Sequence, residues 1–566
     1  MRISHQPVSH ITRTGSLRLQ TISLIVAFIV LTPSLNVARA ADAPVRLNTV
    51  GFLPHHDKRA SIAAACAEFS VVNDADGKTV FRGKTSGPIH NSDTNEDLYI
   101  ADFSAFKQTG LYHLDVIGVG RSAPFRISHE VYHLPFITMV RAMYLWRCGA
   151  AVRGTYQGIT YAHAACHLED GWLDLVGGGQ TRRDATGGWH DAGDYNKYVV
   201  NAGVTVGTML LAWEQFGAQI RHLSLDLPDN RAKLPDYLSE IKWEMDWLLR
   251  MQAEDGSVYH KVSTKVFGPA IPPERETTER YFAPWSSAAT ADFVAMTAMA
   301  ARVYEPYDKM YARRCLDAAR RGYDFLRAHA ENHPANLAGF STGAYQTKDD
   351  DDRLWAAAEM WQTTGEAVFL ADIETRAAGR KFDANWGWSN VSNLGLLAYL
   401  FCERAGRKPS LVANIKSALL TTADEIVRTR DAHGYARPLT LYYWGCNGGI
   451  ANTTVLLQSA YRVSPKLAYV EAALDAIGHL FGRNYYGRSF VTSLGANPPQ
   501  HPHDRRSMAA ANAPAWPGYL VGGGWPKATD WKDEAARYDL NEIAINWNAG
   551  LIYALAGFLG EPAKAK

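Results

Sequence analysis

The feature that most limits the fold of this chain is a change of hydrophobic period near residue 130. Before it, short β-rich runs at 60–65, 69–72, 79–81, 98–103, 110–117 and 123–127 are separated by Gly, Asp, Asn and Pro clusters. Several short strands with regular turn signals predict a small β-sandwich. After it, apolar residues recur at i, i+3 and i+4 over 131–151, 204–216, 234–251, 286–304, 313–328, 353–363, 389–404, 411–428, 453–461, 466–481 and 541–559. That spacing predicts helices, and no strand–helix alternation points to a parallel sheet. The expected class is mainly α: a β-sandwich followed by a large helical domain whose long loops carry the site.

The N-terminus reads as an export leader. Residues 1–20 contain Arg2, Arg13 and Arg18 and no acid; an apolar run follows over 22–31, then Pro33, and Ala38-Arg39-Ala40 offers a cleavage site. The run is too short for a comfortable membrane span, so no stable membrane insertion is expected. The domain plan is therefore 1–40 signal peptide, 41–128 β-sandwich and 129–562 helical domain, in a periplasmic or secreted protein. With 58 basic and 57 acidic residues, the chain has no charge excess to recruit nucleic acid.

Within the helical part, Gly187-Gly188-Trp189-His190-Asp191-Ala192-Gly193-Asp194-Tyr195-Asn196-Lys197-Tyr198 sets two carboxylates three residues apart among glycines and aromatics. Acids supply acid/base chemistry, and Trp189, Tyr195 and Tyr198 offer flat faces for sugar C–H bonds. An ordinary Asx-type turn has the same residue types, so a partner carboxyl across a cleft is required. Glu542 is the candidate, expected to open an apolar helix among Ile543, Ile545 and Trp547. Desolvation would raise its pKa and a helix N-terminus would lower it. A Pro-stiffened loop over 497–505 presents His503 and Arg505, donors suited to sugar hydroxyls or to a carboxylate.

Cys148, Cys166, His167 and His190 are ligand types for tetrahedral zinc. In an exported chain a Cys148–Cys166 disulfide competes with that reading. The sequence leaves open how Cys66, Cys315, Cys402 and Cys446 pair; most of them are expected to be buried thiols.

Together these motifs resemble glycoside hydrolase family 9. The 187–195 stretch is similar to the family's nucleophilic-water loop, 489–505 to its histidine signature and 531–549 to its glutamate signature. Residues 45–54 match the opening strand of the immunoglobulin-like module in one branch. The resemblance implies an (α/α)6 barrel that hydrolyses β-1,4-linked glucans with inversion. It implies Asp194 as general base, Asp191 as a second holder of the water, and Glu542 as general acid. His503, Arg505 and Trp189 would bind substrate, and Tyr538 would support the acid. It also implies structural zinc on Cys148, Cys166, His167 and His190, and calcium on Asp351, Asp352 and Asn390, where Asn stands for an expected acid. An inverting site sets its two carboxyls about 6.5–9.5 Å apart. The expected substrate is a soluble β-glucan or oligosaccharide, acted on by a monomer. The motifs fit an endoglucanase and an exo-acting cellodextrinase or β-glucosaminidase alike. A carbohydrate-binding protein without turnover fits less well, since all three acids are present.

Overall fold

The computed structural model describes residues 43–228, 234–510 and 512–560. The leader expected over 1–40 lies outside them. Nine strands open the described chain: β1 (Val45–Arg46), β2 (Gly51–Phe52), β3 (Arg59–Ile62), β4 (Glu68–Asn73), β5 (Thr79–Asn91), β6 (Glu96–Asp102), β7 (Gly110–Val116), β8 (Gly120–Arg121) and β9 (Phe125–Ile127). Their ladder runs β1-β3-β6-β5-β4-β7-β9-β2, with β8 on β7.

The sequence expectation of a short strand over 79–81 is corrected here, because β5 is 13 residues long. Its first half pairs with β4 and its second half with β6, across a register shift between Ser86 and Ile89. One long strand thereby belongs to both arms of the ladder and folds them onto a shared core. Phe52 packs into that core, edge-on to Phe103 at 5.3 Å and to Phe125 at 5.4 Å.

Fourteen helices follow among the described residues. They are α1 (His133–Leu145), α2 (Val199–Ile220), α3 (Asp236–Leu248), α4 (Ser287–Tyr304), α5 (Lys309–Ala328), α6 (Asp350–Thr364) and α7 (Ala367–Arg376). Then come α8 (Ser392–Phe401), α9 (Pro409–Ala432), α10 (Cys446–Val463), α11 (Leu467–Leu480), α12 (Arg505–Ala509), α13 (Tyr538–Asn541) and α14 (Ile545–Ala556).

Two kinds of helix alternate. In α4 every residue but Arg302 is buried, and Ala predominates; a helix apolar on all sides belongs in an interior. In α5 the buried residues, among them Tyr311, Cys315, Ala318, Ala319, Gly322 and Leu326, form one face, and the other face is mostly charged. The interior helices neighbour one another in the order α8-α6-α4-α2-α14-α10, while α7, α5, α3 and α1 cover α6, α4, α2 and α14, and both α9 and α11 cover α10. Small residues let the inner helices close up: a Cβ on Gly207 of α2 would come within 2.5 Å of the Trp355 ring of α6.

The β-rich part and the helical part belong to one compact unit. Polar contacts join them. Ser61 Oγ donates to the Gly434 carbonyl at 2.6 Å, His56 meets Glu471 at 2.8 Å, and Asp93 meets His433 at 2.9 Å.

Candidate active site and candidate metal centre

The segments that lead into α2, α6, α8, α10 and α14 converge on one cavity of about 630 Å³. Asp191, Asp194 and Glu542 all line it, so the structure brings Glu542 to two acids that precede it by 351 and 348 positions in the chain. The walls are aromatic: Tyr198, Tyr345, Trp388, Trp444 and Trp547.

Each acid has its own surroundings. Asp191 accepts from Asn201 Nδ2 at 2.7 Å and from the Tyr345 hydroxyl at 2.8 Å. Burial, then the Asp194 charge, push its carboxyl up to about 8 against those donors. Asp194 accepts from Asn196 Nδ2 at 2.6 Å and from the Tyr198 hydroxyl at 3.2 Å. Burial raises it, while Arg505 and these two donors pull it down. Glu542 is pushed well above the usual carboxylate range, first by burial and then by the Asp194 and Asp191 charges.

Glu542 does not open a helix, which corrects the sequence expectation. It sits in extended backbone (φ −68°, ψ 156°) after α13, bridged to His503, and its neighbour Ile543 is bridged to Val521. The helix starts three residues later, at Ile545. Strand-like partners from distant loops override the local helical period, so desolvation outweighs the helix terminus.

Backbone bonds tie the motifs together. The Ile545 amide donates to the Asp191 carbonyl at 3.0 Å, the Arg505 amide to Gly193 at 3.0 Å, and the His503 amide to Asn541 at 2.8 Å. Gly193 is needed for this approach, because a Cβ there would lie 2.2 Å from the His503 carbonyl.

Trp189 is a second correction. It is 1% exposed, and its Nε1 donates to Glu240 of α3 at 2.8 Å. It stands in a bridge to Arg147, and the bond to Glu240 turns its ring away from the cleft. Tyr195 is likewise buried, its hydroxyl on the Ile271 carbonyl at 2.7 Å. His503 donates from Nδ1 to Ala535 at 2.7 Å, and Arg505 donates from Nε to Gly268 at 3.1 Å. Arg505 thus acts on Asp194 and Glu542 through its charge. Tyr538 is 52% exposed, beside Trp444 at 5.3 Å, and its carbonyl accepts the Glu542 amide at 3.3 Å.

Tyr345, Asn201 and the tryptophans are the functional candidates that sequence reasoning missed. Tyr345 carries a φ of 44°, unusual for a residue with a side chain.

Behind the Asp191 loop, Cys148, Cys166, His167 and His190 hold their ligand atoms within 4.8 Å of one another. All six cysteines are free thiols, so a Cys148–Cys166 disulfide is absent. Cys148 Sγ lies 3.5 Å from His167 Nδ1, and Cys166 Sγ 3.6 Å from His190 Nε2. Burial opposes ionisation of Cys148, but Cys166, Lys197 and His167 carry its thiol well below the usual range. His167 Nε2 meets Glu276 at 3.2 Å, a second partner that fixes the ring. This donor set can hold a metal ion.

The residues expected to share calcium are arranged differently. Asp351 accepts the Val391 amide at 2.6 Å, and Asn390 Oδ1 accepts from Ser392 Oγ at 2.5 Å. Asp352 is fully buried and faces Asp292 of α4 instead. Among the described residues, no other three His, Cys, Asp or Glu side chains gather as the Cys/His set does.

Known proteins align with this arrangement. The model of Glycosyl hydrolase family 9 matches residues 132–555, and that of the Cellulase N-terminal ig-like domain matches residues 40–121. Endoglucanase D of Acetivibrio thermocellus is 56% identical over 524 residues, covering 92% of this chain and 84% of that protein. A Cellodextrinase of Butyrivibrio fibrisolvens is 31% identical over 91% of this chain and 99% of its own length. Among solved structures, a metagenome-derived glycoside hydrolase family 9 endoglucanase superposes with a TM-score of 0.87 at 33% identity, covering 91% of this chain and 99% of that one. A Zn-binding triple mutant of the family 9 endoglucanase J30 superposes with a TM-score of 0.85 at 35% identity, covering 90% and 100%.

Proposed function

The chain belongs to glycosyl hydrolase family 9, and from that premise we propose that it cleaves β-1,4-glucosidic bonds in cellulose-type glucans with inversion, Asp194 acting as base and Glu542 as acid. It is a glycoside hydrolase of the cellulase type. The observation that carries the residue roles is the convergence of three carboxyls of unequal proton affinity on one aromatic-walled cavity.

Three buried acids facing each other do not all ionise. Glu542, raised by burial and by both aspartates, keeps its proton at neutral pH and can give it to the departing glycosidic oxygen. Asp194 is raised by burial, but Arg505, Asn196 and Tyr198 oppose that shift; it is the acid we assign the negative charge, and it takes a proton from water. Asp191, held at both oxygens by Asn201 and Tyr345, fixes that water with its remaining lone pairs. Trp388, Trp444 and Trp547 give faces for pyranose rings. The interior arc of six helices with its outer cover is read as an (α/α)6 barrel, residues 129–562, and the ladder before it as an immunoglobulin-like module, residues 41–128. The leader over 1–40 would export the protein.

The metal is read as structural zinc. Zn–S and Zn–N bonds of about 2.3 and 2.05 Å at tetrahedral angles give an S···N edge of about 3.6 Å, close to the 3.5 and 3.6 Å edges of the Cys/His set. Four protein ligands leave no open position for chemistry. When bound, zinc would hold His190, and so the adjacent Asp191 loop, in place. For calcium, Asp351 and Asn390 stay near one another through the Val391 amide, and Asp352 does not belong to the set.

The test is a product time course on a defined cello-oligosaccharide followed by NMR. Release of the α-anomer supports inversion, and initial β-anomer overturns it. Product lengths separate internal cutting from trimming of ends.

A further inference from the structure

The C-terminal turns of α2, α4, α6 and α8 and the end of α10 surround a second cavity of about 580 Å³. α2, α6, α8 and α10, which begin at the acid-lined cavity, end here, so it lies at the opposite end of those helices. Nothing in the proposed mechanism uses it. Its floor is an ion cluster in which Arg302 bonds Glu214 at 2.6 Å and Glu359 at 2.6 Å. On its rim Arg462 lies over the Phe401 ring at 5.1 Å.

Two buried polar atoms lining it, Gln215 Nε2 and Gln362 Oε1, have no partner among the described residues. Gln215 does not gain by flipping its amide, because its Oε1 accepts the Tyr553 hydroxyl at 2.7 Å. Buried donors and acceptors without partners are costly. A ligand with hydroxyls, which both donate and accept, would satisfy the two together. An anion is disfavoured at the buried part of the cavity, where the cations are engaged; Arg462, on the rim, only donates to the Gln215 carbonyl at 3.5 Å and stacks on Phe401. Arg302 serves two glutamates, and Arg221 bonds the Gly217 carbonyl at 3.1 Å. Helix C-termini also add negative potential. The volume falls in the roughly 300–1,000 Å³ range of small-ligand pockets, and the apolar wall of Leu211, Val303 and Phe401 suits a sugar face.

We propose that this cavity is a second, non-catalytic site that binds the end of a short, neutral β-glucan chain. The hydroxyl-rich, uncharged ligand is inferred from the cavity alone; that the sugar is a glucan rests on the proposed activity.

Calorimetric titration of the metal-loaded Glu542→Gln protein with cellobiose and cellotetraose tests it, with inorganic phosphate as the anionic probe. Two sugar sites per chain are expected. Gln362→Leu, and independently Phe401→Ala, in the Glu542→Gln background should weaken one site tenfold or more. The other site, in the same titration, reports an intact fold. A single sugar site, a second site untouched by both substitutions, or phosphate binding in place of sugar overturns the proposal. Parallel assay of the unsubstituted protein on cellotetraose separates the two failures. Hydrolysis with one sugar site removes this proposal alone, whereas absence of hydrolysis removes the proposed activity and the choice of glucan with it.

Discussion

At the starting ends of the inner helices stand Asp191, Asp194 and Glu542; at the finishing ends of α4 and α10 stand Arg302 and Arg462. Both placements agree in sign with the helix dipole, which favours anions at N-termini and cations at C-termini. The ends differ in how the charge is met. Arg302 is closed off by two glutamates, whereas the three acids face one another with Arg505 as the cation that lowers both Asp194 and Glu542. Charge of the favoured sign is therefore no mark of chemistry. Like charges crowded around an accessible cavity, with their proton affinities driven apart, are such a mark.

The sharpest way to break this contrast is at the acids. Glu542→Gln should lower kcat on cellotetraose by about 10²–10⁴-fold, with partial recovery on substrates whose leaving group needs no proton. Asp194→Asn should lose at least as much and recover nothing on those substrates. Steady-state kinetics on both substrate types reads this, and equal recovery would merge the two roles.

Next in size is the metal centre. Metal analysis should find one zinc per chain. Cys148→Ser should weaken zinc binding by more than the about 10–100-fold expected for losing an outer partner, and lower Tm before it lowers turnover at saturating zinc. Glu276→Gln removes that outer partner of His167 and should fall within the about 10–100-fold range. A chelator competition series ranks the two.

The smallest effect is at the arginine end. Burial raises Glu359 from its ordinary 4.5 to about 7, against the pull of Arg302. A carboxyl raised on folding binds more protons in the folded state, so its contribution to stability falls as pH climbs from 4.5 through 7. Relative to wild type, Glu359→Gln should gain stability over that window, by roughly 3 kcal/mol at most. Urea unfolding at several pH values measures the slope; a gap that stays flat would place Glu359 fully ionised throughout.

Much of this was legible in the chain. The switch of period near 130 separates β9, which ends at Ile127, from α1, which begins at His133. The acids and the Cys/His set stood out by residue type, and the family resemblance proposed their roles; the structure brings the three acids to one cavity and the four donor atoms within 4.8 Å of one another. What was hidden depends on partners far away in sequence. Glu542 follows a helical period but is drawn into extended backbone by His503 and Val521. Trp189 sits two places before Asp191, a spacing that in regular extended backbone would give a shared face, but its indole is drawn to Glu240 of α3. Tyr345 reaches Asp191 across 154 positions from a stretch with no local signal. Asp352, beside Asp351 in sequence, turns inward because consecutive helical residues point in different directions.

The peptide links between Asp191 and Ile545, Gly193 and Arg505, and His503 and Asn541 have a further implication. The gap between the proposed proton-accepting and proton-donating groups is held by main-chain hydrogen bonds. Side chains along the walls can therefore drift, and the range of tolerated polymers with them, while the spacing the reaction needs is inherited unchanged.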